Sequence, residues 1–512
     1  MARMDSLNLS VPLQHDCTDP TVELDVARLR EWLANLPLMN VVETVRLVQG
    51  ALGALNEQKL DDRLRFRLLE AYRPVLLRLF YALDPLHLRQ LSLSRSARQT
   101  AIDGLARLLQ DLACGYKLVV RSQHADAAHG NALFGHALNR ALELLVFELL
   151  DEYRFYRALP AALIGELHVL YRTARHHGLL GVSASSAEEA YPARASAALY
   201  HAAMLLALTD PERLAEGEVG TLFEVLLQHA DQCRVIPGNH WEGSGEGLFL
   251  LDLRTRSAPL ACAGLTRPAA AQEPYLLDAT RALQALHGQL AQTPEPVRRQ
   301  SPEAMLLRRL LPEQGAERQR RETRQRDGRY VAVLTGLEAL HAWLRAQREL
   351  TASVANALPQ CRVVDSSRSG MKLSRTDAVA GDVRVGELLG VIEGGGNRYT
   401  LRAAIVRSIR VHREGGLEAG ILLLEGGLGA VTCSIPEVPA SEAIPALFMP
   451  AAGEEAVAAT LVAAKGLYTF GRSLVIDVGG REVSIRAGRR VFDSPVFDRF
   501  EFAARSTDDD AR

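Results

Sequence analysis

Two clusters of side chains in this sequence have the types and spacing to hold a ligand. One is Asp365-Ser366-Ser367-Arg368-Ser369-Gly370, a D-x-S-x-x-G hexad in a strand-like context. The other is the arginine-dense stretch before it, with arginines at 318, 320, 321, 324, 326 and 329 against only Glu322 and Asp327, a local charge of +4. Guanidinium forks suit phosphate oxygens and the O6/N7 edge of guanine. A carboxylate at Asp365 can accept from guanine N–H groups, and a hydroxyl at Ser367 can reach a phosphate oxygen. Gly370 is expected to take a backbone conformation closed to other residues. The chemistry is that of binding an anionic purine-bearing ligand. A basic run of this kind is also compatible with a solvated or protein-binding segment.

Around these clusters the chain divides into a helical and a β-rich part. From Val22 to about Ala230, apolar residues recur at three- and four-residue intervals, as in Val41, Val45, Val48, Leu52 and Leu55, which predicts amphipathic helices. Helices are expected over 59–82, 96–121, 132–157, 160–177, 194–208 and 219–230, separated by Asp84-Pro85, Gly130-Asn131 and Asp210-Pro211, with Pro74 expected to kink or split its helix. A bundle or a solenoid of helix pairs fits this pattern. Residues 234–236 and 248–253 read as two strands of a hairpin, 275–291 as a helix, and 292–297, with Pro294 and Pro296, as a semi-rigid linker before a helix over 302–311.

Beyond Arg329 the texture is β-rich. Strands are expected at 330–334, 361–365, 370–373, 399–411 and 418–425, and later at 473–478 and 481–485, with glycine-rich turns such as 393–397 between them. A helix is expected over 336–348, where Leu337, Leu340 and Leu344 form an apolar stripe.

The arginine stretch and hexad, in that order, resemble the ligand signature of the PilZ domain, a bacterial receptor for cyclic di-GMP. The resemblance covers roughly 318–430 and carries over Arg320 and Arg324 as the R-x-x-x-R pair, then Asp365, Ser367 and Gly370, with Arg321 and Arg326 as possible additional ligands. It implies a small antiparallel β-barrel and an arginine arm that wraps the ligand. The 41 positions from Arg324 to Asp365 exceed the family's usual interval, the excess holding the helix at 336–348.

The expected architecture is therefore α+β and multidomain. A flexible tail (1–20) leads into a mainly helical domain with a hairpin (21–291). A linker with a short helix (292–317) and a PilZ-like barrel (318–450) follow, then a β-rich extension packed on the barrel (451–503) and an acidic tail (504–512). The length, 512 residues, calls for several domains. A net charge of −2 gives no long-range pull toward nucleic acid or anionic membrane.

Six scattered cysteines without a C-x-x-C pair point to a reduced, cytoplasmic protein without zinc, and no 18-residue apolar run calls for membrane insertion. Arg175-His176-His177-Gly178 reads as a helix end, His240 to Gly247 as a hairpin turn, and Phe147, Tyr153, Phe155 and Tyr156 as core. No hydrolase or metalloprotease motif occurs in a convincing context. The leading expectation is a non-enzymatic cyclic di-GMP receptor that needs no cofactor and acts on an unidentified protein partner through its helical part. The alternatives are a PilZ-like adaptor without ligand and, more remotely, a nucleic-acid module built on the arginines.

Overall fold

The computed structural model describes the chain except residues 1–6, 17–18, 20–21, 125–130, 185–192, 239–245, 263–273, 299–300, 312–322, 347–349, 379–380, 396–397, 437–442, 452–457 and 505–512. It forms two compact units, residues 1–211 with 216–318, and residues 212–215 with 319–512.

The first unit holds helices α1 (Val26–Ala34), α2 (Val41–Glu57), α3 (Asp62–Ala82), α4 (Pro85–Leu88), α5 (Arg95–Gln123), α6 (Ala132–Arg154), α7 (Ala161–His176), α8 (Ser196–Ala207) and α9 (Glu218–His229), then α10 (Thr280–Ala291), α11 (Glu295–Arg298) and α12 (Pro302–Leu310). Their starts follow from capping chemistry. Asp25, Asp61, Asp84, Ser94 and Asn131 each accept backbone N–H groups from the first turn that would otherwise lack partners. Pro74 neither splits nor ends α3, which runs unbroken on both sides of it. Arg73, Val75, Leu76 and Leu77 around it are all buried, so packing offsets the lost backbone bond.

The arrangement is a bundle. α6 touches α5, α7, α8 and α9, not only its neighbours in sequence as a solenoid helix would. Because α6 is enclosed, its polar positions are buried too, and they are paired as burial demands. Glu143 accepts from Arg73 and Arg140, Asp151 from Arg154 and Arg157, and Lys117 of α5 meets Glu166 of α7 at 2.8 Å.

Among the described residues, Glu148 has only Gln110 as a hydrogen-bond donor, at 2.8 Å, and burial pushes its carboxyl up to about 7. An acid raised in the folded state lowers stability as pH climbs from its unfolded value near 4.3 through the folded one. Glu148→Gln keeps the acceptor and removes the penalty. It is expected to stabilise the protein at pH 8 by on the order of 3 kcal/mol and to be neutral at pH 4.5, read as the difference in unfolding free energy from wild type at the two pH values.

Four further local expectations for this unit are corrected. Strands β1 (Arg234–Pro237) and β2 (Leu248–Leu251) do not form a hairpin, because β4 (Tyr275–Asp278) lies between them in a four-stranded sheet of order β1-β4-β2-β3, with β3 at Leu260–Ala261. The helix expected from 275 accordingly starts at Thr280, and one turn of helix, α11, stands inside the expected linker. Residues 7–16, expected within a flexible tail, are hydrogen-bonded to the bundle at both ends of the stretch.

The second unit contains two barrels. The first is built from β6 (Tyr330–Thr335), β7 (Gln360–Ser366), β8 (Gly370–Arg375), β9 (Leu388–Gly395), β10 (Arg398–Val411) and β11 (Leu417–Leu423), all antiparallel. Its order is β7-β6-β9-β10-β11-β8, closed by β8 pairing back to β7, and a two-residue strand β5 (Gln325–Arg326) extends the β6 edge along β7. The second barrel closes in the order β12-β13-β14-β17-β16-β15. In chain order, β12 to β17 are Gly429–Ser434, Ile444–Met449, Thr460–Ala464, Ser473–Val478, Arg481–Asp493 and Phe497–Ala504. The expected division at 450 runs through this barrel, and the expected extension is a closed fold of its own.

The helix expected after Gly336 is α13 (Leu337–Arg345), followed by α14 (Ala352–Asn356), both in the β6–β7 connection. α13 lies between the barrels. Leu340, fully buried, and Trp343 join Ile392, Ala403 and Ile405 of the first barrel to Leu447, Met449, Val462 and Phe497 of the second in one apolar core. Gly390 in β9 makes room for it, since a Cβ there would lie 2.1 Å from Leu340 Cδ1. Ser494 closes the seam with a buried hydroxyl bond to the Gly386 carbonyl at 2.6 Å.

Candidate ligand-binding site

The hexad forms the β7–β8 turn. β7 ends at Ser366, residues 367–369 turn, and β8 starts at Gly370, with the Ser367 N–H donating to the Gly370 carbonyl at 2.8 Å and the Ser367 hydroxyl donating to the same carbonyl at 3.3 Å. The Ser369 carbonyl accepts from Leu423 N–H at 2.9 Å, which ties the turn to β11. The register slips between Val363 and Asp365, where β7 carries an extra residue against β8. Such a bulge re-aims side chains: Val363 is fully buried while Asp365, Ser366 and Ser367 are partly exposed.

Gly370 is needed for a different reason from the one expected. Its backbone is not in the left-handed region. A Cβ at 370 would sit 2.7 Å from the Ile421 carbonyl oxygen, so it is the approach of β11 that excludes a side chain.

The arginine stretch reaches this turn despite the 41-residue interval. β5 pairs Gln325 with Ser366 and Arg326 with Asp365, and Arg324 Nη1 donates to Asp365 Oδ1 at 2.6 Å, the two side chains being 29% and 22% exposed. The interval is absorbed by α13 and α14, which leave at the end of β6 and return at the start of β7, away from the hexad. Arg326 is exposed beside it. Arg320 and Arg321 lie outside the described residues.

Asp327 and Arg368 join the site without having been candidates from sequence. Asp327 accepts from the N–H groups of Gly328 at 2.8 Å and Arg329 at 3.0 Å and from the Ser366 hydroxyl at 3.1 Å, so it caps the β5–β6 turn and fastens it to β7. These bonds, the Arg329 N–H first among them, hold its carboxyl below the usual range. The signal available in the sequence was Asp-Gly at 327–328, a turn pair. Arg368, exposed at the tip of the hexad turn, was present inside the motif itself. Next to the arm, Glu393 of β9 accepts from Arg329 at 2.9 Å and from Arg402 at 3.4 Å. The site thus gathers guanidiniums and carboxylates on a barrel rim, with hydrogen-bonding groups for an anionic ligand. Among the described residues there, no nucleophile and base are paired for bond breaking.

The remaining candidates are structural or fall outside the described residues. Arg175 and His176 end α7, and Arg175 stacks over the Tyr275 ring at 5.1 Å. Phe155 and Tyr156 are buried, whereas Phe147 and Tyr153 are half-buried. Residues 239–245 of the expected turn lie outside the described residues. Among the described residues no helix is long and apolar enough to cross a membrane, and no group of three or more His, Cys, Asp or Glu is placed to hold a metal ion.

Comparison with known proteins bears on both ends of the chain. Residues 27–238 match the family model described as the N-terminal domain of cyclic-di-GMP receptor FimW, and residues 432–505 match the FimW C-terminal β-barrel domain. The second match coincides with most of the second barrel. A curated relative, the cyclic-di-GMP receptor FimW of Pseudomonas aeruginosa, is 30% identical over 219 residues, which are 41% of this chain and 36% of that protein. The chain therefore aligns with about a third of the relative's length. No solved structure matches. The stretch carrying Arg324, Asp365 and Gly370 lies between the two matched models. At its two ends, in the order their descriptions give, this chain matches the two domains described for one receptor, so the similarity runs to FimW and not to the PilZ domain by name.

Proposed function

We propose that this chain is a non-enzymatic receptor for cyclic di-GMP whose ligand sits on the rim of the first barrel. Arg324 and Asp365 are its principal contacts, Ser367 and Gly370 shape the turn, and Arg320, Arg321 and Arg326 supply further guanidiniums. The observation that carries this reading is the meeting of Arg324 and Asp365 at 2.6 Å across the long interval. In the free protein each neutralises the other. Exchange of the carboxylate for a ligand phosphate or guanine edge leaves the guanidinium paired, and releases Asp365 to accept from guanine N–H groups. The name of the relative, a cyclic-di-GMP receptor, supports the choice of ligand. Output runs to a protein partner of the helical unit, in the cytoplasm.

The second reading is an adaptor in which the Arg324–Asp365 pair only clasps β5 to β7. Calorimetric titration of the full chain with cyclic di-GMP and, separately, GTP divides the two. The receptor gives saturable heat with cyclic di-GMP and none with GTP at equal concentration. An adaptor gives none with either.

A further inference from the structure

The N-terminal stretch is held as a bound peptide would be. Ser10 N–H donates to Glu166 Oε1 at 2.7 Å, and its carbonyl accepts from the Cys114 thiol at 3.6 Å. Glu166 is itself buried and spends its other oxygen on Lys117. Leu9, immediately before, is the only described residue of 7–16 that is buried. Five residues on, His15 pairs in parallel with the α2–α3 connection, its N–H donating to the Glu57 carbonyl at 2.7 Å and its carbonyl accepting from Lys59 N–H at 3.1 Å. Asp16 meets Lys59 at 2.8 Å.

The stretch is thus read through its main chain at two places and through one apolar side chain, with Gln14 Nε2 donating to the Gln58 carbonyl at 2.9 Å and Asp16 adding to the second place, which is the chemistry of extended-peptide recognition. Leu13 between them is 84% exposed. One buried side chain, a few backbone bonds, one side-chain bond from Gln14 and an exposed ion pair at Asp16 must hold ten residues in order, so detachment lies at the low-cost end of local opening. The receiving residues, 57–59, 114, 117 and 166, all fall within the matched FimW N-terminal domain, which begins at residue 27, after the stretch.

We propose that the groove running from α7 across α5 to the α2–α3 connection is a docking site for an extended peptide with a leucine-like anchor, occupied in this chain by its own residues 7–16. A partner segment that presents a free N–H and carbonyl one residue after such an anchor competes with the strap. The site lies within the first unit and uses none of the residues proposed to bind cyclic di-GMP.

The probe is a fluorescent synthetic peptide of residues 7–16, Leu-Asn-Leu-Ser-Val-Pro-Leu-Gln-His-Asp, titrated into full-length protein. Leu9→Asp in the protein places a charge in the anchor pocket and releases the strap. The peptide is expected to bind this variant at least tenfold more tightly than wild type, and a peptide carrying Asp at the anchor is expected not to bind. Alkylation of Cys114, followed by site-resolved mass spectrometry, should be faster in the variant and slow again when peptide is added. Should Leu9→Asp fail to fold, Ser10→Pro, which deletes the N–H bonded to Glu166 without charging the core, serves in its place. Equal peptide affinity for wild type and released protein, or no binding to a released protein that keeps its thermal transition, overturns the proposal.

Discussion

Arg324→Ala is expected to weaken cyclic di-GMP binding tenfold or more while leaving the thermal transition of the β unit within a few degrees of wild type. A good bidentate arginine contact to guanine is worth ~1–3 kcal/mol, and ~1.4 kcal/mol is a factor of ten in affinity. The effect on the free protein is smaller. With side chains 29% and 22% exposed, the Arg324–Asp365 pair is screened by solvent and worth at most about 1 kcal/mol to stability. Asp365→Ala should weaken binding likewise, and the double variant should lose slightly more than the two single losses combined, because each single variant is separately spared the cost of parting the free-state pair, whereas the double variant is spared it once. Calorimetric titration reads the affinities and scanning calorimetry the transition. Wild-type affinity in both single variants would remove this pair from the site.

The largest loss of stability is expected at the seam between the barrels. Leu340 is fully buried in a core fed by both, so Leu340→Ala should cost ~2–5 kcal/mol, the range for a leucine truncated where the surroundings relax little. Gly390→Ala forces Leu340 out of position, since the new Cβ would lie 2.1 Å from its Cδ1, and overpacking of this kind costs ~1–3 kcal/mol. Combined, the two should cost less than their sum, as the small residue at 340 makes room for the larger one at 390. Denaturant unfolding of the full chain measures all three. Because the core is shared, both barrels should lose stability together. Separate barrel transitions, only one of them moved by Leu340→Ala, would contradict a common core.

Most helices were legible because several local signals agreed. Asp84-Pro85 and Asn131 mark starts with a capping side chain, and the periodic apolar positions of α2 and α5 face the core as expected. The strands missed were those whose signals conflict. In β9, Gly394 and Gly395 belong to the expected turn at 393–397, and Gly390, a residue that weakens a strand signal, serves the approach of Leu340. β14, Thr-Leu-Val-Ala-Ala, is nearly all buried and does not alternate, so period alone could not mark it as a strand. Without it and β17 the second barrel could not be recognised. Tyr275 to Asp278 merges with the apolar pattern of α10, and only its pairing between β1 and β2 makes it a strand.

At the site, the residue types were readable and their pairings were not. That Arg324, rather than a neighbouring arginine, meets Asp365 depends on the β5–β7 register, a pairing between residues 41 apart. The reason for glycine at 370 lies in β11, at Ile421. Leu9 was read as part of a flexible tail because the groups that hold Ser10 beside it, Cys114 and Glu166, come from two distant helices.

Hydrogen–deuterium exchange of the full chain, with and without cyclic di-GMP, tests the central claim most directly. The account predicts slower exchange on ligand addition in the peptides spanning 324–329 and 365–370, with that protection abolished in Asp365→Ala. Saturating ligand that leaves both stretches unchanged while protecting other parts of the chain would place the site elsewhere and contradict the account.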